Sequence, residues 1–328
     1  MNTPHSKTPF PAARFIKEIG RGKAGARSMS RADAQELYAA MLDGRVSDLE
    51  LGGILLAMRI KGESVDEIAG FLDAAEMSFE RLTAPTGTYA PIVIPSYNGS
   101  RNMANLTPLL AMLLARKGAP VLVHGVIHDP NRVTTAEIFQ ELGLPFSHTV
   151  QQAEAQFAQR APAFMTIDDL APRMARILAL RRVLGVRSST HTLVKIMQPF
   201  VGPALRLTSY THPEYLEMLA AYFMSAAPAA RGDAFLMRGT EGETVANAKR
   251  AQQIDWFHDG ERSILVEKQQ PVDELPVLPA ARDAATTAAW IRSALAGEQP
   301  IPAPIAEQVE HCLRVAKRLQ TSSITERR

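Results

Sequence analysis

The sequence predicts an α/β chain in two parts: a small all-helical domain, and a larger α/β domain with a mainly parallel central sheet. Three observations lead there. Up to residue 80 the apolar positions are helix-spaced, and no stretch reads as a strand. From residue 91 short β-branched runs alternate with helical stretches, the order that builds a sheet with helices on both faces. A long, mostly helical block at 168–200 interrupts that order and is expected to pack back on the N-terminal helices. The expected division is therefore a flexible tail at 1–12, a helical domain at 13–85 completed by 168–200, and an α/β domain at 86–328. A second flexible tail is expected at 320–328. With 328 residues, 46% of them hydrophobic, the chain is long enough for two cores.

Leu51, Ile54, Leu55 and Met58 fall at i, i+3, i+4 and i+7, one face of a helix. Val65, Ile68, Ala69 and Leu72 repeat the pattern. Ser64 and Glu67 have capping-box spacing in front of that second helix, where each satisfies an orphan amide. Gly44 and Gly62 punctuate the helices. PIVIP (91–95) is short, apolar and β-branched, as a buried parallel strand is. After a polar segment, Thr107-Pro108 reads as an N-cap followed by proline at the first helical position. LLAMLLA (109–115) is apolar all round and so is expected to be buried. PVLVHG (120–125) reads as the next strand. Thr134 and Glu137 open a helix that runs to about Leu142. AFMTI (163–167), ALRLTSY (204–210), DAFLMR (233–238) and RSILVE (262–267) read as further strands. Residues 269–285, rich in Pro, Asp and Ala, read as an exposed loop.

Several function classes are excluded early. One cysteine, Cys312, leaves no intramolecular disulfide and no multi-Cys zinc site, and it suits a reducing cytoplasm. No run approaches the length of a membrane span, and the first residues lack a signal peptide's apolar core, so a cytoplasmic protein with no membrane partner is expected. No H-E-x-x-H motif and no G-x-S-x-G elbow occurs. GRGKAG (20–25) matches the glycine spacing of a dinucleotide site, but helical sequence precedes it where that site needs a strand. It reads as a loop between helices. No cofactor and no metal is expected.

Two places carry candidate chemistry. Residues 96–107, SYNGSRNMANLT, lie at the carboxyl end of a strand and run into a helix start, which reads either as an anion site built on backbone amides or as an ordinary β–α connection with a good cap. Ser96, Tyr97, Asn98, Gly99, Ser100, Arg101, Asn105 and Thr107 are the candidates there. His124 and Gly125 end the neighbouring strand, with His124 reading as an interior histidine. Arg238 and Glu243 belong to RGTEGE (238–243), whose carboxylates Glu241 and Glu243 read either as magnesium ligands beside a phosphate or as a solvated turn. The second place is a charge pattern. Residues 14–31 sum to +5 and residues 173–195 to +6 in a chain of +2, which leaves −9 for the rest. Lys17, Arg21, Lys23, Arg27, Arg173, Arg176, Arg181, Arg182, Arg187 and Lys195 are the candidate contacts to a phosphate backbone. With few aromatics nearby (Phe15, Tyr38, Tyr97), backbone attraction is expected over base stacking.

These residues add up to a resemblance. GRVSDLELGGILLAMRIKGESVDEIAGF (44–71) resembles the N-terminal helices of the anthranilate phosphoribosyltransferase and nucleoside phosphorylase superfamily, glycosyltransferase family 3. IKEIGRGK (16–23), VIPSYNGSR (93–101), NLTPLLA (105–111) and RGTEGE (238–243) resemble the YbiB group of DNA-binding proteins within it. The departures from the enzymes are specific. Their glycine-rich diphosphate loop, G-T-G-G-D, is SYNGS (96–100) here. Their K-H-G-N-R stretch is VHGVI (123–127), which keeps His124 and Gly125 and replaces the Lys and Asn. Their G-L-D-E metal carboxylates shrink to GTEGET (239–244), with Glu243 as the remnant. Their LG-x-R element survives as Leu184-Gly185-Val186-Arg187, which the resemblance places facing the cleft. Together these changes remove several charge-stabilising groups that phosphoribosyl transfer needs. The resemblance thus implies a non-catalytic homodimer, joined through its helical domain. It implies binding of single-stranded DNA or RNA with little sequence preference, and at most weak phosphate or sulfate binding in the cleft. The alternative is a phosphoribosyltransferase or nucleoside phosphorylase-like enzyme with an altered substrate.

Overall fold

The computed structural model describes residues 8–22, 24–271 and 277–325. The chain forms two compact units, Met1–Glu80 with Ala171–Met197, and Arg81–Leu170 with Gln198–Arg328. Four helices come first: α1 (Ala13–Ile19), α2 (Arg31–Asp43), α3 (Asp48–Lys61) and α4 (Val65–Glu76). Next come β1 (Ile92–Ser96), α5 (Thr107–Arg116), β2 (Val121–Gly125), α6 (Thr135–Glu141), α7 (Val150–Ala158), β3 (Ala163–Thr166) and α8 (Ile167–Leu170). Three short helices follow, α9 (Pro172–Ala179), α10 (Arg181–Leu184) and α11 (Thr190–Leu193). The chain then gives β4 (Leu205–Tyr210), α12 (Pro213–Ser225), β5 (Ala234–Arg238), β6 (Ile254–His258), β7 (Glu261–Val266), α13 (Ala284–Leu295) and α14 (Ala303–Thr325).

In the helical unit the caps follow from sequence. Ser64 accepts from the Glu67 amide and Glu67 answers at the Ser64 amide, and Ser47 with Glu50 does the same for α3. Leu51, Ile54, Leu55 and Met58 are the buried face of α3. The Tyr38 hydroxyl on α2 meets Thr190 Oγ1 on α11 at 2.8 Å, which ties the returning segment to the N-terminal helices. The expected tail at 1–12 is corrected where it is described; residues 1–7 lie outside the described residues. Phe10 and Ala12 are buried. The Phe10 ring stacks on Phe15 at 5.6 Å, and its amide donates to the Arg45 carbonyl at 2.9 Å. An apolar ring at residue 10 gains more from that burial than from remaining free.

In the second unit, the described residues hold one sheet of seven strands in the order β3-β2-β1-β4-β5-β6-β7. The pairs among β1 to β5 are parallel, and β6 and β7 add antiparallel at one edge. Strand β6 is a correction, because its sequence IDWFH shows no clean alternation. Asp259 and Gly260 after it both have positive φ, 48° and 78°, the two-residue turn that Asp-Gly favours in a hairpin. The expected tail at 320–328 is also corrected: α14 continues through Thr325, and residues 326–328 lie outside the described residues. Val315, Ala316 and Leu319 of that helix are buried, and the Ala316 carbonyl accepts from the Ala90 amide. Of the expected loop 269–285, residues 272–276 lie outside the described residues, and α13 begins at Ala284 behind an Asp283 cap. Among the described residues no helix is long and apolar enough to cross a membrane.

Strand order reverses at β1, which has β2 on one side and β4 on the other. Connections leaving a parallel sheet at such a point diverge and open a crevice at the carboxyl ends of the strands. Ser96 and Gly125 end β1 and β2 in register there.

Candidate functional site

The crevice loop is built by its own hydrogen bonds. Ser96 Oγ donates to Thr135 Oγ1 at 2.7 Å, and Asn105 Nδ2 donates to the same oxygen at 3.0 Å. The Ser100 amide and carbonyl pair with Val133. Thr107 was expected to cap α5. Instead Leu106 is the N-cap, Thr107 is the first helical residue, and its amide donates to Asn105 Oδ1 at 3.1 Å. Asparagine two residues upstream does the capping because its short side chain reaches the i+2 amide. Gly125 is required by contact: a Cβ there would collide with the Ser96 carbonyl oxygen.

Tyr97 and His124 form a pair. The Tyr97 hydroxyl lies 2.7 Å from His124 Nδ1. Burial pulls His124 down to about 3, so the ring is neutral near pH 7. Burial, with Asp168 nearby, pushes the Tyr97 phenol up. A neutral histidine facing a protonated phenol is a packed interior pair. Nε2 of His124 is buried with no hydrogen-bond partner among the described residues.

The amides of this loop are not open to a ligand. Asn98 and Gly99 donate to Glu243 Oε1 at 3.0 and 2.7 Å. The Arg101 and Asn102 amides donate to Glu241 at 2.7 and 3.0 Å, Met103 at 3.4 Å, and Asn102 Nδ2 at 2.6 Å. Asn98 Nδ2 and Ser209 Oγ both donate to the Gly242 carbonyl. Arg132 donates to the carbonyls of Gly99 and Glu241, bridging the two loops. Burial pushes the Glu241 carboxyl up, and the amides of Asn102, Arg101 and Met103 with the Asn102 side chain outweigh it, so it titrates below its ordinary value. Glu243 is fully buried, so this is no solvated turn; its Oε1 faces amides, as does the Glu241 carboxylate, while its Oε2 is buried with no hydrogen-bond partner among the described residues. Among the described residues no three His, Cys, Asp or Glu side chains gather as metal ligands would. Arg238 ends β5 exposed, and Arg101 is exposed too. The sequence reading omitted Asn102, Arg132 and Thr135. Their only local signal was a polar loop facing a second glycine-flanked acidic loop.

The expected basic residues lie on the helical unit. Arg176 Nη2 donates to the Met41 and Leu42 carbonyls at 2.7 and 3.1 Å, capping the C-terminus of α2. Arg173 pairs with Asp43 at 2.6 Å, Arg21 with Glu18 at 2.6 Å, and Arg27 reaches the same Glu18 at 3.9 Å. Lys17 is exposed in the last turn of α1. Lys23 lies outside the described residues. Arg181 and Arg182 lie on α10, Arg187 lies beyond its Gly185 cap, and Lys195 follows α11. The three arginines are exposed and Lys195 is half-buried. Burial first, then the charges of Arg187, Arg181 and Lys195, pull His191 down to about 4. Those three cations therefore share one neighbourhood. Residues 171–197 hold six bases and no acid, whereas residues 1–80 hold ten bases and twelve acids. The positive charge of the unit comes from the returning segment.

Comparison with known proteins places this architecture. The helical bundle domain of a glycosyl transferase family matches residues 13–76. The YbiB protein of Escherichia coli (strain K12), an uncharacterized protein, is 48% identical over 301 residues, 92% of each chain. The chain belongs to the YbiB family. This family shares its fold with anthranilate phosphoribosyltransferases. The enzyme of Novosphingobium aromaticivorans is 27% identical over 82% of this chain and 81% of its own. The structure of the Thermus thermophilus enzyme superposes with a TM-score of 0.68 at 20% identity, covering 94% of this chain and 89% of that one. The Saccharomyces cerevisiae enzyme, in complex with PRPP and Mg, gives 0.70 at 14% identity, covering 95% and 89%.

Proposed function

We propose that this chain is a non-catalytic, homodimeric protein that binds single-stranded DNA or RNA through phosphates, with little regard to sequence. The observation that carries it is the returning segment 171–197, with six bases, no acid, and Arg181, Arg182 and Arg187 exposed together. Cations concentrated in that way attract a polyanion by releasing its condensed counterions, and no base-specific group is needed. A cytoplasmic setting fits this reading, as does a lone buried cysteine, Cys312. Phosphoribosyl transfer would ask the 97–103 loop for amides that here bond to Glu241 and Glu243.

The test is fluorescence anisotropy of short single strands of unrelated sequence at two salt concentrations. The slope of log K against log salt is expected near −0.7 for each phosphate neutralised. Absent binding at low salt, or binding indifferent to salt, would remove the proposal.

The dimer has its own support. On α3 the face opposite the core is apolar as well: Leu49 is 88% exposed, Leu56 41% and Ile60 67%. Gly52 and Gly53 lie between them with open space outside. A second copy of the same helix, brought close by the glycines, is the occupant we assign to that stripe. Ile60→Glu is expected to convert a sedimenting dimer to monomer and to weaken strand binding, because the positive surface is halved. A wild-type chain that sediments as a monomer at micromolar concentration excludes this part.

A further inference from the structure

Residues 181–187 of the returning segment form a turn that the fold leaves outside. Helix α10 has no buried residue, and within 181–187 only Leu184 is not exposed. Gly185 closes the helix at φ 73°, its amide donating to the Arg181 carbonyl at 2.9 Å, and a Cβ there would meet open space. Two valines stand on this turn: Val183 is 80% exposed and Val186 37%. Arg181 and Arg182 precede them in the chain and Arg187 follows. Arg187 and Arg181 both act on His191, so the two ends of the turn share one neighbourhood.

Phosphates give no reason for apolar side chains to stand in water, where each forgoes the gain of burial. Nor do cations alone favour a single strand. A duplex carries the denser charge, and each phosphate neutralised on it releases more counterion than on a single strand. What a single strand offers and a duplex hides is the faces of its bases, which a duplex stacks on one another. Apolar side chains set among cations fit both parts of a single strand, phosphates at the arginines and base faces at the valines. A second copy of this chain fits poorly, because a two-fold contact centred on the turn sets these arginines against their own copies.

We infer that Val183 and Val186 receive the base faces of a bound single strand while the flanking arginines hold its phosphates, and that this contact selects a single strand over a duplex. The inference rests on the nucleic-acid reading above and adds to it the groups that touch the bases. Contact with the face of a base rather than its edge reads no sequence, in keeping with binding that disregards sequence.

The probe is a pair of single strands of equal length: oligothymidylate, and an abasic strand that keeps every phosphate and lacks every base. Both are titrated against the full chain by fluorescence anisotropy at two salt concentrations, with a duplex of the same length as the third ligand. Wild type is expected to bind oligothymidylate about fivefold more tightly than the abasic strand, the gain from partly covering a valine side chain. In a Val183→Ser, Val186→Ser chain that ratio is expected to fall to within about twofold at the wild-type salt slope, since no phosphate contact is lost. The preference for single strand over duplex is expected to fall with it.

A wild type that binds both strands alike overturns the base contact and leaves phosphate binding standing. So does a variant that keeps the wild-type ratio, or one whose salt slope turns shallower, because the valines then only position the arginines. A variant that sediments as a monomer where wild type is a dimer also overturns it, because the valines then face a second copy. A wild type that binds neither strand at low salt removes the nucleic-acid reading and this inference together. Should the double variant not fold, Val183→Ser alone decides, since that side chain lies outside the core: a ratio equal to that of wild type counts against the contact.

Discussion

A chain carrying Arg181→Ala, Arg182→Ala and Arg187→Ala is expected to bind a short single strand about 100-fold more weakly near 0.1 M salt, on counterion release alone. Three lost phosphate contacts should also make the salt slope shallower by about two. The loss should be the same for unrelated sequences, because contacts to phosphate carry no base information. These arginines are chosen because they are exposed in a segment without acids. Arg176 and Arg173 serve as the contrast. Arg176 closes the end of α2 through the Met41 and Leu42 carbonyls, and Arg173 is paired with Asp43. Their removal should act on the fold of the helical unit more than on strand affinity. Anisotropy titrations at two salt concentrations give both quantities. A triple variant within twofold of wild type, or one with an unchanged slope, would move the binding surface elsewhere.

What was legible in the sequence was local. Ser64 with Glu67 and Thr134 with Glu137 read correctly as capping boxes because both partners lie within one turn. The parallel strands were visible as short β-branched runs, since strands buried on both faces need no polar alternation. The errors share a cause. Phe10 looked like tail because its partners, Phe15 and the Arg45 carbonyl, are set by how α1 meets the α2–α3 turn. Strand β6 was hidden because Asp255 and His258 break its apolar pattern; Arg262 pairs with Asp255, and Asp233 with His258. Glu241 and Glu243 were noticed, but their partners lie about 140 residues away, and no spacing rule reaches that far. The charge sums were legible, but not that Asp43 and Glu36, outside the counted segments, pair with Arg173 and Arg14.

Gly125→Ala is expected to be the most damaging single methyl in the crevice. Ser96 and Gly125 are register partners at the carboxyl ends of β1 and β2, and a Cβ at 125 would overlap the Ser96 carbonyl oxygen. Side-chain rotation cannot relieve a clash with backbone. The strands must part, and the nearest casualties are the Tyr97–His124 contact and the Ser96–Thr135 bond. Overpacking of this kind costs about 3 kcal/mol where the backbone has to move. For a unit of this size that lowers Tm by about 10 °C. Urea and thermal melts check it, and a Tm within about 2 °C of wild type would mean that the strand ends yield more easily than this packing implies. The same variant separates the two candidate sites. Glycine 125 belongs to the α/β unit, whereas Arg181, Arg182 and Arg187 belong to the helical unit. Below its melting temperature the variant should therefore bind single strands as wild type does. A parallel loss of strand affinity in a folded Gly125→Ala chain would instead assign nucleic-acid binding to the crevice.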